Sequence, residues 1–144
     1  MYAAAHRRAY GVALEGRFGQ AYNEQAFRYC LEIERKRAAR AKRPVLLLLL
    51  NLKKPRPDTR IDSALASRVF HCLWPSLRET DVVGWYREER MIGAVLTGAD
   101  GECPPEVTKG IQQRIGEALS TGLMPDVARQ FRVRVYRCRP QLKG

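Results

Sequence analysis

The clearest run of apolar positions is Val45–Leu52, "VLLLLLNL". Its five successive leucines show no alternation, which predicts a strand buried on both faces in the middle of a sheet. Ahead of it, Phe27, Cys30, Leu31 and Ala38 recur on one face of a helix that Asn23 can cap and that runs to about Ala41. Pro44 separates helix from strand. Residues 1–22 carry neither period and read as an irregular segment. "KKPRPDTR" is a loop, because Pro55 and Pro57 exclude regular structure. Asp62 or Ser63 opens a second helix with Leu65, Val69, Cys72, Leu73 and Leu77 at helical spacing, distorted near its end by Pro75. A hairpin follows, with strands at Asp81–Tyr86 and Met91–Thr97. Beyond the loop "GADGECPP", Pro105 suits the first turn of a third helix that buries Val107, Ile111, Ile115, Ala118 and Leu119 and stops near Gly122. Finally "FRVRVYRC" alternates, with Phe131, Val133 and Val135 on one side and Arg132, Arg134 and Tyr136 on the other.

The predicted order is α-β-α-β-β-α-β. Without the first helix it is βαββαβ, so residues 1–144 are expected to form a single α/β (α+β) domain. Its sheet would be ferredoxin-like, preceded by an N-terminal helix. Nucleotide cyclases, polymerase palms and many RNA-binding domains share that plan, and the order of elements does not choose among their functions.

Composition narrows the class. With 45% hydrophobic and 28% charged residues the chain reads as globular rather than disordered. Its longest apolar run falls well short of the about 20 residues that a membrane span requires. "MYAAAHRRAYGVALEG" lacks the uninterrupted apolar core of a signal peptide, so a cytoplasmic protein is expected. Cys30, Cys72, Cys103 and Cys138 have no metal-site spacing and read as free thiols. The net charge of +11 is uneven: residues 28–60 hold eleven Lys/Arg against three acids, and residues 128–144 hold six against none. Residues 61–127 are acidic overall, with six against ten. Such blocks suit an anionic partner, though they also serve solubility alone.

Three stretches carry a resemblance. "YNEQAF" is similar to "YNRRxF", "RPVLLLLLNLKK" to "RPLSLLLLDIDHFK", and "LRETDVVGWYREERMIGAVL" to "LRxxDxxxRYGGDEFxxLL". The second pattern of each pair belongs to GGDEF domains, the fold of bacterial diguanylate cyclases. The three fall in the family's order, over about residues 18 to 138. The resemblance implies a role in bacterial signalling, and it also marks departures. Where the family holds two metal ions on an Asp at the end of its first strand and an acid of its turn, this chain has Asn51 and Glu89. Lys53 replaces a further Asp, Arg87 and Glu88 replace the paired glycines, and Arg90 replaces the following Glu. Trp85 replaces the Arg before the turn. Asn51 is a poor Mg²⁺ ligand, so the expectation is a degenerate domain with no cyclase activity, metal or cofactor. Family members continue past the last matching strand with another helix and strand. The chain therefore reads as truncated, with a sheet face or edge left uncovered or else covered by its first 20 residues.

One functional element of the family is matched. "RETD" stands where many GGDEF proteins carry the RxxD site that binds cyclic di-GMP. Arg78 could give two parallel hydrogen bonds to guanine, and Asp81 could accept from its N1–H and N2–H edge. The structural alternative is that Arg78 offsets a helix dipole and Asp81 ties the turn locally. The partners implied are cyclic di-GMP, or a protein, including a second copy in a homodimer. A nucleic-acid-binding domain on the same plan is the alternative, favoured by the charge and by Arg132 and Arg134; against it, "FRVRVYRC" lacks the aromatic RNA-recognition pattern. His6 and His71 lack ligand neighbours, and Ser63, Ser67 and Ser76 lack a nucleophile context. Trp74, Trp85 and Tyr86 suit base stacking or packing, and the charged turn 87–90 suits a contact surface or plain solvation.

Overall fold

Two side-chain caps set the first two long helices. The Asn23 side chain accepts the Ala26 N–H at 2.9 Å and begins α1, Glu24–Arg40. Asp62 accepts the Leu65 N–H at 2.8 Å and begins α2, Ser63–Leu73. Each such cap stabilises its helix by about 1 kcal/mol. Pro75 turns the end of α2 into a 3₁₀ turn, Trp74–Ser76. Pro105 opens α3, Pro105–Gly122, and a short α4, Pro125–Ala128, follows. This is a computed structural model that describes residues 10–13, 20–54, 56–78, 80–97 and 105–138. His6, Glu79, Cys103 and most of the "GADGECPP" loop lie outside them.

The strands are β1 (Tyr10–Ala13), β2 (Gln20–Tyr22), β3 (Val45–Leu52), β4 (Val82–Arg87), β5 (Met91–Leu96) and β6 (Phe131–Cys138). They form one sheet in the order β1-β2-β4-β5-β3-β6. Its last four strands are antiparallel neighbours, the ferredoxin-like arrangement within a mixed α+β fold. β3 is central as its pattern predicts. Leu48 and Leu50 enter the core beneath α2 and α3, whereas Val45 and Leu47 enter a second core beneath α1. Phe27 anchors that second core with no exposed surface, and burying such a ring contributes about 2–3 kcal/mol.

The irregular segment expected over residues 1–22 contains two strands instead. β1 and β2 pair antiparallel, and β2 runs parallel to β4 with Tyr22 opposite Gly84. Strands of four and three residues are too short to show an alternating pattern. Their pairing depends on a distant residue: a Cβ on Gly84 would lie 2.4 Å from the Tyr22 carbonyl oxygen. These strands extend the β4 edge, opposite β6, and so do not cover β6. α1 packs chiefly on β4 and α3 covers one face of β6, leaving Arg132, Arg134 and Tyr136 exposed on the other.

Cys30, Cys72 and Cys138 are free thiols. Burial pushes all three above the ordinary thiol pKa, aided at Cys30 by Glu34 and opposed at Cys138 by Arg35. Their contribution to stability is present below that ordinary value and is lost as pH rises through the raised one. Among the described residues, no helix is long and apolar enough to cross a membrane.

Candidate functional site

The turn between β4 and β5 is closed by the Arg90 N–H donating to the Arg87 carbonyl at 3.0 Å. All four residues, Arg87, Glu88, Glu89 and Arg90, are exposed, yet the turn does more than meet solvent. The Glu88 N–H donates to the Glu24 carboxylate at 2.6 Å, and the Glu24 N–H donates to the Glu88 carboxylate at 3.1 Å. This reciprocal pair fastens the hairpin to the start of α1, where the helix dipole favours a negative charge by about 0.3–1 kcal/mol. Arg28 adds a second tie, with Nε donating to the Tyr86 carbonyl at 3.2 Å and its guanidinium 4.8 Å from the Tyr86 ring centroid. On the other side, Arg90 donates to the Pro57 carbonyl at 2.8 Å and the Ile61 N–H donates to the Glu89 carbonyl at 2.7 Å. Glu24 and Arg28 were not singled out in the sequence, because their partners lie about 60 positions away along the chain.

Glu89 adopts φ 61°, a left-handed conformation that costs a residue with a Cβ about 1–2 kcal/mol. Glu89→Gly is therefore expected to stabilise the fold by about 1 kcal/mol in urea denaturation, since the backbone bond to Ile61 survives the change. A variant no more stable than the parent would show that the turn is unstrained.

Asn51 lies at the end of β3, half-buried, opposite Met91 on one side and Arg132 on the other. Lys53 is exposed, and its N–H donates to the Gln130 carbonyl at 2.7 Å. Around Asn51 the turn thus supplies two glutamates and two arginines, with the Glu88 carboxylate already engaged by α1. Among the described residues, no three of His, Cys, Asp and Glu gather closely enough to hold a metal ion.

Arg78 and Asp81 do share one opening. Both line a cleft of about 630 Å³ between α3 and the ends of β3 and β5, with Leu96, Thr97, Ile111 and Arg114 among its walls. The Arg78 side chain is exposed and, among the described residues, its guanidinium has no hydrogen-bond partner. Asp81 is held differently. One carboxylate oxygen accepts the Arg78 N–H at 2.8 Å, and the other accepts the Thr97 N–H at 2.8 Å and hydroxyl at 3.1 Å. Asp81 thus makes the local tie of the structural alternative and fixes the backbone from which Arg78 projects. His71 Nδ1 lies 2.8 Å from the Ser67 carbonyl, within its own helix. Trp85 is buried edge-on to Phe70, with ring centroids 5.8 Å apart, so packing is its role.

No protein-family model matches the sequence, and no curated protein matches it. Solved structures do. A DGC protein of Thermotoga maritima aligns with a TM-score of 0.58 and 15% identity over 82% of this chain and 80% of its own. Diguanylate cyclase SiaD of Pseudomonas aeruginosa, solved with its activator SiaC, aligns with a TM-score of 0.63 and 16% identity over 99% of this chain and 55% of its own. A microbial GGDEF domain, studied for its interaction with cyclic di-GMP, aligns at 0.54 and 14% identity over 87% of this chain and 77% of its own. The chain therefore has the fold of GGDEF domains.

Proposed function

We propose that this chain is a GGDEF-like regulatory domain that acts by recognition rather than catalysis, taking cyclic di-GMP into the cleft beneath Arg78. Two-ion phosphoryl transfer needs paired acids at the end of the central strand and in the turn. Here Asn51 is neutral, the Glu88 carboxylate accepts from the α1 terminus, and Glu89 is followed by Arg90. That donor set does not fit two divalent ions. For recognition, the observation that carries the reading is the exposed Arg78 guanidinium at the rim of an open cleft, on a turn that Asp81 holds rigid. A guanidinium there can bond guanine O6 and N7 together while attracting phosphate. Leu96 and Ile111 offer an apolar wall to the base. The fold neighbours solved with an activator or studied with cyclic di-GMP support a protein or nucleotide partner.

The test joins two measurements. With GTP and Mg²⁺ or Mn²⁺, cyclic di-GMP should not form above a no-protein control; product that disappears in Asn51→Ala would overturn the non-catalytic reading. In calorimetric titration Arg78→Ala should weaken cyclic di-GMP binding by about 1–3 kcal/mol and leave the melting temperature nearly unchanged. Asp81→Ala should weaken binding and also lower the melting temperature, because the part-buried Thr97 N–H and hydroxyl lose their acceptor. Absence of binding by the parent protein would overturn the ligand assignment.

A further inference from the structure

β6 is the outer strand of the sheet, and its two faces are treated oppositely. Phe131, Val133 and Val135 pack into the core with α3. On the other face the register places Arg132 beside Asn51, Arg134 beside Leu49 and Tyr136 beside Leu47. All three β6 side chains are exposed, Tyr136 by 42%. Alternate residues of a strand are spaced by about 6.7 Å, so they form a straight row of two guanidinium groups and an aromatic ring. Arg134 lies 3.4 Å from the Tyr136 hydroxyl, which steadies the ring. Beside the start of β6 lies a hollow of about 440 Å³ lined by Lys53, Lys54, Arg129 and Gln130, where Arg129 is already paired with Asp126. No acid occurs between residues 128 and 138.

We infer that this face of β6 is a binding surface for single-stranded nucleic acid. The row supplies what such a ligand needs: cations for its phosphates and an exposed ring on which a base can stack. A second copy paired along β6 would set arginine against arginine, which opposes self-association. A membrane surface would call for grouped apolar side chains, and among the described residues the other large exposed ones, Tyr29, Val107 and Met124, lie outside β6. The surface lies apart from the Arg78 cleft, which is lined from β3, β5 and α3, so the inference does not depend on cyclic di-GMP binding.

The experiment measures fluorescence anisotropy of a labelled single-stranded RNA of about 12 nucleotides, within the usual site size, across a salt series with the full chain. Tyr136→Ala should weaken binding roughly tenfold, the scale of one lost stacked base, with the salt slope unchanged. Arg132→Ala and Arg134→Ala should each reduce the slope by about 0.7. Arg78→Ala should bind RNA as the parent does. The double variant Lys36→Ala, Arg40→Ala removes two exposed charges from α1 and should leave the slope unchanged. Equal losses in that control and in the β6 variants, or polyglutamate or anionic lipid vesicles competing as well as RNA, would overturn the assignment. Unaltered melting temperatures identify these effects as binding effects.

Discussion

Replacing Gly84 with alanine is expected to lower the free energy of unfolding by about 3 kcal/mol, at the upper end for overpacking. The added Cβ would stand 2.4 Å from the Tyr22 carbonyl oxygen and 2.9 Å from its nitrogen, both backbone atoms. Backbone cannot rotate aside, so β2 must move away from β4 and the second core opens along Tyr22. Gly93 provides the comparison. It pairs with Gly84 across the hairpin, but its Cβ would meet the tip of the Phe27 ring at 2.8 Å. A side chain can tilt, so Gly93→Ala should cost less, about 1–2 kcal/mol. Urea denaturation of both variants checks the order. A Gly84→Ala protein within about 0.5 kcal/mol of the parent, the range of ordinary surface changes, would show that β2 is not seated there.

Trp85→Ala should destabilise by about 3–5 kcal/mol, the usual loss for a large buried aromatic. Its side chain is 2% exposed and meets Phe70 edge-on at an interplanar angle of 88°, so truncation leaves a void in the main core. Trp85→Phe separates packing from polarity. The indole Nε1 is buried and, among the described residues, has no hydrogen-bond partner. Phenylalanine removes that unsatisfied donor while leaving a smaller void, and the two effects oppose each other. The expected change is below about 1.5 kcal/mol. If both variants lost the same stability in chemical denaturation, ring volume would not be what Trp85 contributes.

Elements whose signals are local were legible in the sequence. Asn23, Asp62 and Pro105 mark helix starts through groups within a turn of themselves, and the leucine run of β3 has the composition of a strand covered twice. The alternation of β6 gave its buried and exposed faces. β1 and β2 escaped because their place is set by the missing Cβ of Gly84 rather than by their own residues. The turn was legible as an oddity but not as a fastening, since its partners Glu24 and Pro57 are remote along the chain. At "RETD" both alternatives were written in the residues. In the structure Asp81 accepts from the backbone N–H groups of Arg78 and Thr97, and both Arg78 and Asp81 line the cleft.

The central place of β3 has a consequence for synthesis. Leu48 pairs with Ala94 on one side and with Val135 on the other. As the chain leaves the ribosome, a strand of consecutive leucines therefore emerges long before either neighbour exists. The second neighbour arrives only when nearly all of the described chain has been made. Until then the apolar run is a sticky, β-forming segment with nothing to cover it. Expression yield should accordingly respond more to chaperone supply and elongation rate than the stability of the finished fold would suggest.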